Sequence, residues 1–330
     1  MNPELFLQDL GRKPDVLRGL AAHLREENPW SFLRHRPNRV VLVGMGSSAY
    51  AAGVAAARLR AAGLLAASEL ASSDLLPRWG TSTLAVAISA SGGSRETLDA
   101  LDRLPEAVTT VALTNVADSA IATRCQHTVM MHAEKEAGGV ACRSFQHTLV
   151  LLLALEAHLT GAPLYPLVET LERAANASHH LLQTAHSWLP QVTELLAGPD
   201  GTHLVAPARR LSSAQQGALM FREGPRRFAV GCEAGDWAHV DVYVTKNTDC
   251  RLLIFAGSRW DDGIREWTQP RATTVVSVGG EFPDAQIVIR YPHDDADDVR
   301  LLAEVLVPEL VAARLWAERP DESALIGTDP

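Results

Sequence analysis

Along this chain, short β-branched apolar runs that stop at glycine or serine alternate with longer stretches whose apolar residues fall at helical spacing. Leu17, Leu20 and Leu24 have that spacing, which predicts a helical lead-in ending before the proline-bearing turn HRPNR at 35–39. RVVLVG at 39–44 reads as a buried strand, followed by an Ala-rich helix that opens with serine and ends at Gly63. TLAVAIS at 83–89 predicts a second strand, with a helix behind its Ser/Gly turn. TTVALTN (109–115) and HTVMMHA (127–133) predict two more strands with a short helix between them, and a long apolar helix is expected over about 144–159. Strands alternating with helices imply a parallel sheet covered on both faces.

After a mostly helical stretch over about 165–197 comes the turn cluster AGPDG, and the pattern restarts. THLVAPA (202–208) predicts a strand, residues 212–223 a helix, and CRLLIFAG (250–257), ATTVVSVGG (272–280) and AQIVIRYP (285–292) three further strands. A last helix is expected from Asp294 to about Arg319. The acids of its HDDADD start complement the helix dipole and need no ligand. The expected organisation is a helical segment (1–35), a first α/β unit (36–162), a helical linker (163–197) and a second α/β unit with a tail (198–330). The repeated pattern suggests an internal duplication, although the halves share little literal sequence.

With 47% hydrophobic and 21% charged residues in 330, the chain can bury a sizeable core, which excludes global disorder. The net charge of −9 argues against a nucleic-acid or anionic-membrane partner, since no basic face is available to release phosphate counterions. Cys125, Cys142, Cys232 and Cys250 lie far apart without a CxxC pair, against both a zinc site and a disulfide framework. His179, His180 and His186 lack an HExxH pattern and read as a solvated helix face; no metal and no cofactor are expected. The N-terminus carries charge from Glu4, and the longest apolar run, 149–155, is far short of a membrane span, so a soluble cytoplasmic protein is expected.

The informative residues follow the first two strands: Gly44-Met-Gly46-Ser47-Ser48-Ala49 and Ser89-Ala-Ser91-Gly92-Gly93-Ser94. Open α/β sheets bind ligands at such carboxyl ends. Glycine lets the backbone approach, helix-start N–H groups point outward, and serine hydroxyls add neutral donors, so a phosphate dianion can be held without lysine or arginine. Alone, GMGSSA also fits a GxGxxA dinucleotide turn with Glu69 as its ribose acid, or merely tight helix–strand packing. Four serines across two neighbouring turns favour a terminal phosphate gripped from several sides.

Ser89-x-Ser91-Gly92-x-Ser94 resembles the SxSGxT phosphate loop of sugar isomerase (SIS) domains, and MGSSAY resembles their CGTSYN turn. Residues 139–145, GVACRSF, resemble the GVASTKAF segment, and FLQDLGRKPDVLRGL resembles the helix preceding tandem SIS domains. In the second half, QGALMFRE (216–223) resembles the helix EGALKLKE, and EAGDWAH (233–239) resembles AAGELKH. The resemblance covers nearly the whole chain and is best to the isomerase lobe of glucosamine-6-phosphate synthases and to the fructosamine-6-phosphate deglycases. It implies two SIS-type, doubly wound parallel-sheet domains with flanking helices.

By this resemblance Ser48, Ser89, Ser91 and Ser94 bind phosphate, and Ser47, Gly92, Val140 and Cys142 bind substrate. Glu223 falls on the catalytic acid/base, and His239 on a histidine that reaches the neighbouring subunit's site, which implies a homodimer with shared active sites. A carboxylate of raised pKa suits proton transfer between C1 and C2, and a histidine suits the hydroxyl or ring oxygen. Several positions depart from the family. Its loop Gln and Glu are Ala90 and Gly93, its helix lysine is Met220, its helix-start glutamate is Gln216, and its tail lysine is Gly327. The only lysines are Lys13, Lys135 and Lys246, so a Schiff-base mechanism is not expected, nor is glutamine-dependent amination. The expected function is deglycase-like chemistry on an amino-ketose 6-phosphate. An aldose–ketose phosphosugar isomerase, a non-catalytic sugar-phosphate sensor and a dinucleotide enzyme stand as alternatives.

Overall fold

Runs that are apolar on successive residues become the buried strands of two separate sheets. The computed structural model describes residues 1–77 and 79–319. Two helices, α1 (Pro3–Gly11) and α2 (Lys13–Glu26), precede the first sheet. It contains β1 (Arg39–Gly44), β2 (Leu65–Leu70), β3 (Thr83–Ile88), β4 (Thr109–Thr114) and β5 (His127–Met130), with α3 (Ser47–Ala61), α4 (Arg95–Asp102) and α5 (Ala120–Arg124) between them. α6 (Arg143–Thr160) and the long α7 (Tyr165–Leu196) lead on to the second sheet. That sheet contains β6 (Thr202–Ala206), β7 (Ala229–Glu233), β8 (Arg251–Phe255), β9 (Thr274–Val278) and β10 (Ile287–Ile289). α8 (Leu211–Glu223), α9 (Ala234–His239) and α10 (Asp261–Thr268) connect its strands, and α11 (Asp297–Ala303) and α12 (Leu306–Ala317) close the fold.

Every pairing is parallel. The first sheet runs β2-β1-β3-β4-β5 and the second β10-β9-β8-β6-β7, so each, counted from its own first strand, has the order 2-1-3-4-5. The duplication suggested by the sequence is therefore present in the topology. In this order the winding reverses between the first and third strands, opening a crevice at their carboxyl ends. The two crevices differ. Between β1 and β3 it is lined by small hydroxyl-bearing turns. Between β6 and β8 it is filled by arginines: Arg210 is paired with Glu304 and donates to the Ala256 carbonyl, and Arg209 reaches Asp297 and the Gly257 carbonyl at 2.7 and 2.8 Å.

β2 and β7 were not expected as strands. β2 (LAASEL) is a half-exposed edge of small residues, and β7 (AVGCE) carries a glycine where β-branched residues give the usual signal. The expected single C-terminal helix starts at Asp297 instead of Asp294 and breaks between α11 and α12. Pro308 has no N–H for the Glu304 carbonyl, which takes the Val307 N–H at 3.1 Å instead.

One apolar cluster runs through both units, joining Val86 and Leu113 of the first sheet to Leu253 and Val276 of the second by way of α6, α7 and α12. The lead-in helices are fastened to it by buried ion pairs, Lys13 with Glu309 and Arg143 with Asp9. Burial raises the Glu309 carboxyl to about 7 despite the opposing Lys13 ammonium. Among the described residues no helix is long and apolar enough to cross a membrane.

Candidate active site

The first crevice is shaped by two glycines. A Cβ on Gly44 would lie 2.8 Å from that of Ser48, so only glycine allows β1 to turn this tightly into α3. Gly92 has φ +67°, and its missing Cβ would lie 2.1 Å from the Ser119 side chain. The α3 start has no side-chain cap; the Ser48 N–H is taken by the Met45 carbonyl at 3.1 Å, and the Ser47 and Ala49 N–H groups beside it can face a ligand. At the other turn the Ser94 hydroxyl caps α4, accepting from the Thr97 N–H at 3.3 Å and the Thr97 hydroxyl at 3.1 Å while donating to Glu96 at 2.9 Å.

These turns enclose a pocket of about 380 Å³ lined by Ser47, Ser48, Ser89, Ser91, Ser94 and, from the second unit, Glu223. Leu219 and Glu223, one helical turn apart on α8, face it together. α8 is brought there by Gly217, whose missing Cβ leaves room for Leu204 of β6 and Pro308 of α12, and by Gln216. The fully buried Gln216 amide donates to the Ala141 carbonyl at 2.7 Å. A glutamate there could donate that bond only when protonated, so the exchange has a structural reason. Half-buried Glu223 has its pKa raised by desolvation, against a smaller opposing effect of Arg222. It is a carboxylate inclined to hold a proton, beside a cluster of neutral donors.

Other expected site residues lie elsewhere. Gly92 sets the turn's shape without lining the pocket. Val140 lines an adjoining larger cavity, which shares Ala90, Ser91, Gly139 and Ala141 with the serine pocket. Cys142 is fully buried and lines neither cavity; its N–H bonds to Glu136 at 2.7 Å, and burial pushes its thiol pKa well up. His239 is exposed at the end of α9, against the second sheet, and does not line the pocket of its own chain. Met220 points into the core, 1% exposed, so no lysine-like role falls to it, and Gly327 lies outside the described residues. Glu69, at the end of β2, does not line the serine pocket.

Sequence reasoning did not single out Leu219 or Glu136. The Glu136 carboxylate accepts from the N–H groups of Cys142, Arg143 and Ser144 and from the Ser144 hydroxyl, holding the α6 start against the pocket wall. Its placement seven residues before the helix follows no capping pattern. Among the described residues, His203, Cys232 and Asp241 form one group close enough to hold a metal ion. They are already partnered: Trp237 donates to His203 Nδ1 at 3.1 Å, and the Cys232 thiol to Asp241 at 3.2 Å.

Residues 33–157 match the family model of the SIS domain. The glutamine–fructose-6-phosphate aminotransferase (isomerizing) of Methanothermobacter thermautotrophicus is 26% identical over 165 residues, 50% of this chain and 27% of the relative. The match therefore spans well under half the length of that curated protein. The C-terminal domain of glucosamine-fructose-6-phosphate aminotransferase from Francisella tularensis superimposes with a TM-score of 0.81, 17% identity, and coverage of 95% and 96% of the two chains. The tagatose-6-phosphate ketose/aldose isomerase of Escherichia coli does so with a TM-score of 0.75, 13% identity, and coverage of 95% and 92%. At these identities the structural likenesses establish the fold.

Proposed function

We propose that this chain, whose residues 33–157 match the SIS domain, moves a proton between C1 and C2 of an amino-ketose 6-phosphate, as fructosamine-6-phosphate deglycases do. The observation that carries the proposal is the convergence of five serines and one carboxylate of raised pKa on a single pocket. Ser48, Ser89, Ser91 and Ser94, with the open start of α3, hold the 6-phosphate. Ser47 and Ala141, which line the pocket, shape the sugar site, and Val140 lies in the adjoining cavity. Glu223 takes a proton from C1 and returns it to C2 while the amine N–H proton passes to O2, so the C2 carbonyl becomes a hydroxyl and the C1–N bond an imine. Water adds at C1, the C–N bond breaks, and the amine leaves with a proton, giving a hexose 6-phosphate.

His239 assists ring opening or amine departure from a second copy, since in its own chain it lies away from the pocket; the working form is a homodimer. No enzyme lysine is required. Among the described residues none lines the serine pocket: Lys13 is locked to Glu309, and Lys246 sits over the Tyr243 and Trp267 rings at 5.0 and 5.4 Å.

The test is a coupled assay for glucose 6-phosphate release from a panel of fructosamine 6-phosphates, comparing wild type with Glu223→Gln. Release that vanishes in the variant while binding persists supports the reaction. No release from any member, with sugar-phosphate binding intact, would replace it with an aldose–ketose isomerase or a sensor.

A further inference from the structure

The larger cavity beside the serine pocket has a volume of about 780 Å³, roughly twice that of its neighbour. The wall between them is made of small residues, Ala90, Ser91, Gly139 and Ala141, so a substrate seated on the serines has open space alongside it. Its titratable lining groups are His132, Glu134, Lys135 and Glu136. Both carboxylates are already committed. Glu134 pairs with Arg12 at 2.6 Å, and Glu136 caps α6 through four hydrogen bonds. Burial and the neighbouring His23 hold His132 toward its neutral form. That leaves Lys135, the one lysine of the three with no partner for its ammonium among the described residues.

The backbone that carries Lys135 is firmly held. Fully buried Arg143 donates to the carbonyls of Ala133 (3.0 Å) and Lys135 (2.7 Å) and pairs with Asp9, while Asn115 bonds the Ala133 N–H and the Glu134 carbonyl at 3.0 and 2.7 Å. An unneutralised cation on a braced loop, facing a roomy cavity next to the sugar-phosphate site, is suited to an anionic substituent.

We propose that this cavity receives the amine-borne portion of the substrate and that Lys135 binds a carboxylate on it. The preferred substrates are then sugar phosphates conjugated to an amino acid, not to a neutral alkylamine. The inference rests on the deglycase-type reaction proposed above and adds to it the class of amine. Because Lys135 is exposed, its contact is worth about tenfold in discrimination, the low end for a hydrogen bond to a charged group, and added salt weakens it.

The probes are fructose-6-phosphate conjugates of glycine, β-alanine and 4-aminobutyrate, each beside its matched amide. Wild type is expected to favour at least one acid over its amide by about tenfold in kcat/KM. Lys135→Met should remove that preference by weakening the acid alone, and Lys135→Arg should keep it. A preference unchanged in Lys135→Met overturns the inference, as does equal loss on acid and amide, which would mean a structural or catalytic role. The same ratio is also read from dissociation constants in Glu223→Gln. If wild type turns over no conjugate but the acid preference in binding depends on Lys135, the reaction falls and the subsite stands. If acids and amides bind alike, the subsite falls whatever the turnover.

Discussion

Gly92→Ala strikes both the stability of the fold and the shape of the phosphate turn. An L-residue at φ +67° costs about 1–2 kcal/mol, and the new methyl must displace the Ser119 side chain 2.1 Å away, a further 1–3 kcal/mol typical of overpacking. The sum is about 2–5 kcal/mol. Unfolding 330 residues carries an entropy near 0.7 kcal/mol per degree at about 2.1 cal/mol/K per residue, so Tm should fall by roughly 3–7 °C. Ser91 and Ser94 flank the substituted position, so hexose 6-phosphate should bind about tenfold more weakly, a loss near 1.4 kcal/mol. Scanning calorimetry and isothermal titration read the two effects. Adding Ser119→Gly removes the atoms in the way, leaving Thr114 Oγ1 at 3.0 Å as the next neighbour, and should recover the packing part but not the backbone part. A Gly92→Ala protein within about 0.5 kcal/mol of wild type, binding phosphate equally well, would refute the account of this turn.

Four further outcomes follow from named contacts. Gln216→Glu replaces the buried donor to the Ala141 carbonyl and should cost about 1–3 kcal/mol of stability by urea titration, with weaker substrate binding, despite restoring the family's residue. Met220→Lys should not create a Schiff-base enzyme: borohydride with a ketose phosphate should trap no adduct, and the buried ammonium should destabilise the fold by several kcal/mol. Burial lowers the His147 pKa from 6.5 to about 4, outweighing the opposing effect of the hydrogen bond that Nδ1 donates to the Met131 carbonyl at 2.7 Å, so the folded state holds the ring neutral. Its contribution is whole above pH 6.5 and is lost as pH falls toward 4, on the order of 3 kcal/mol, so His147→Gln should show a flatter stability profile over that window. Desolvation raises Glu223, so kcat/KM should fall with acid at a pH above the ordinary glutamate range, and a limb at or below that range would count against Glu223 as the base.

What the sequence showed and hid follows from range. β1, β3, β4 and β8 are runs of branched apolar residues buried on both faces, and a local pattern suffices to find them. β2 and β7 are sheet edges made of Ala, Ser and Gly, strands only because a neighbour pairs with them. The serine turns were legible because a phosphate site needs its residues close in sequence. The partnership of Glu223 with those serines crosses from one unit to the other and was visible only through the family resemblance. The hydrogen bond made by Gln216 was hidden, since its partner Ala141 lies 75 residues away. The second crevice gave no sign of being filled, because Arg210 meets Glu304 across 94 residues.

Carbon-bound exchange in D₂O reaches the central claim without depending on which amine or sugar is native. Wild type incubated with a ketose 6-phosphate or its amine conjugate should introduce deuterium at C1 or C2, seen by proton NMR. Glu223→Gln should introduce about 10²- to 10⁴-fold less while still shifting the ³¹P signal of the bound phosphate. Equal deuterium incorporation by the two proteins, or none by wild type across substrates that it binds, would contradict proton transfer by Glu223 in the serine pocket.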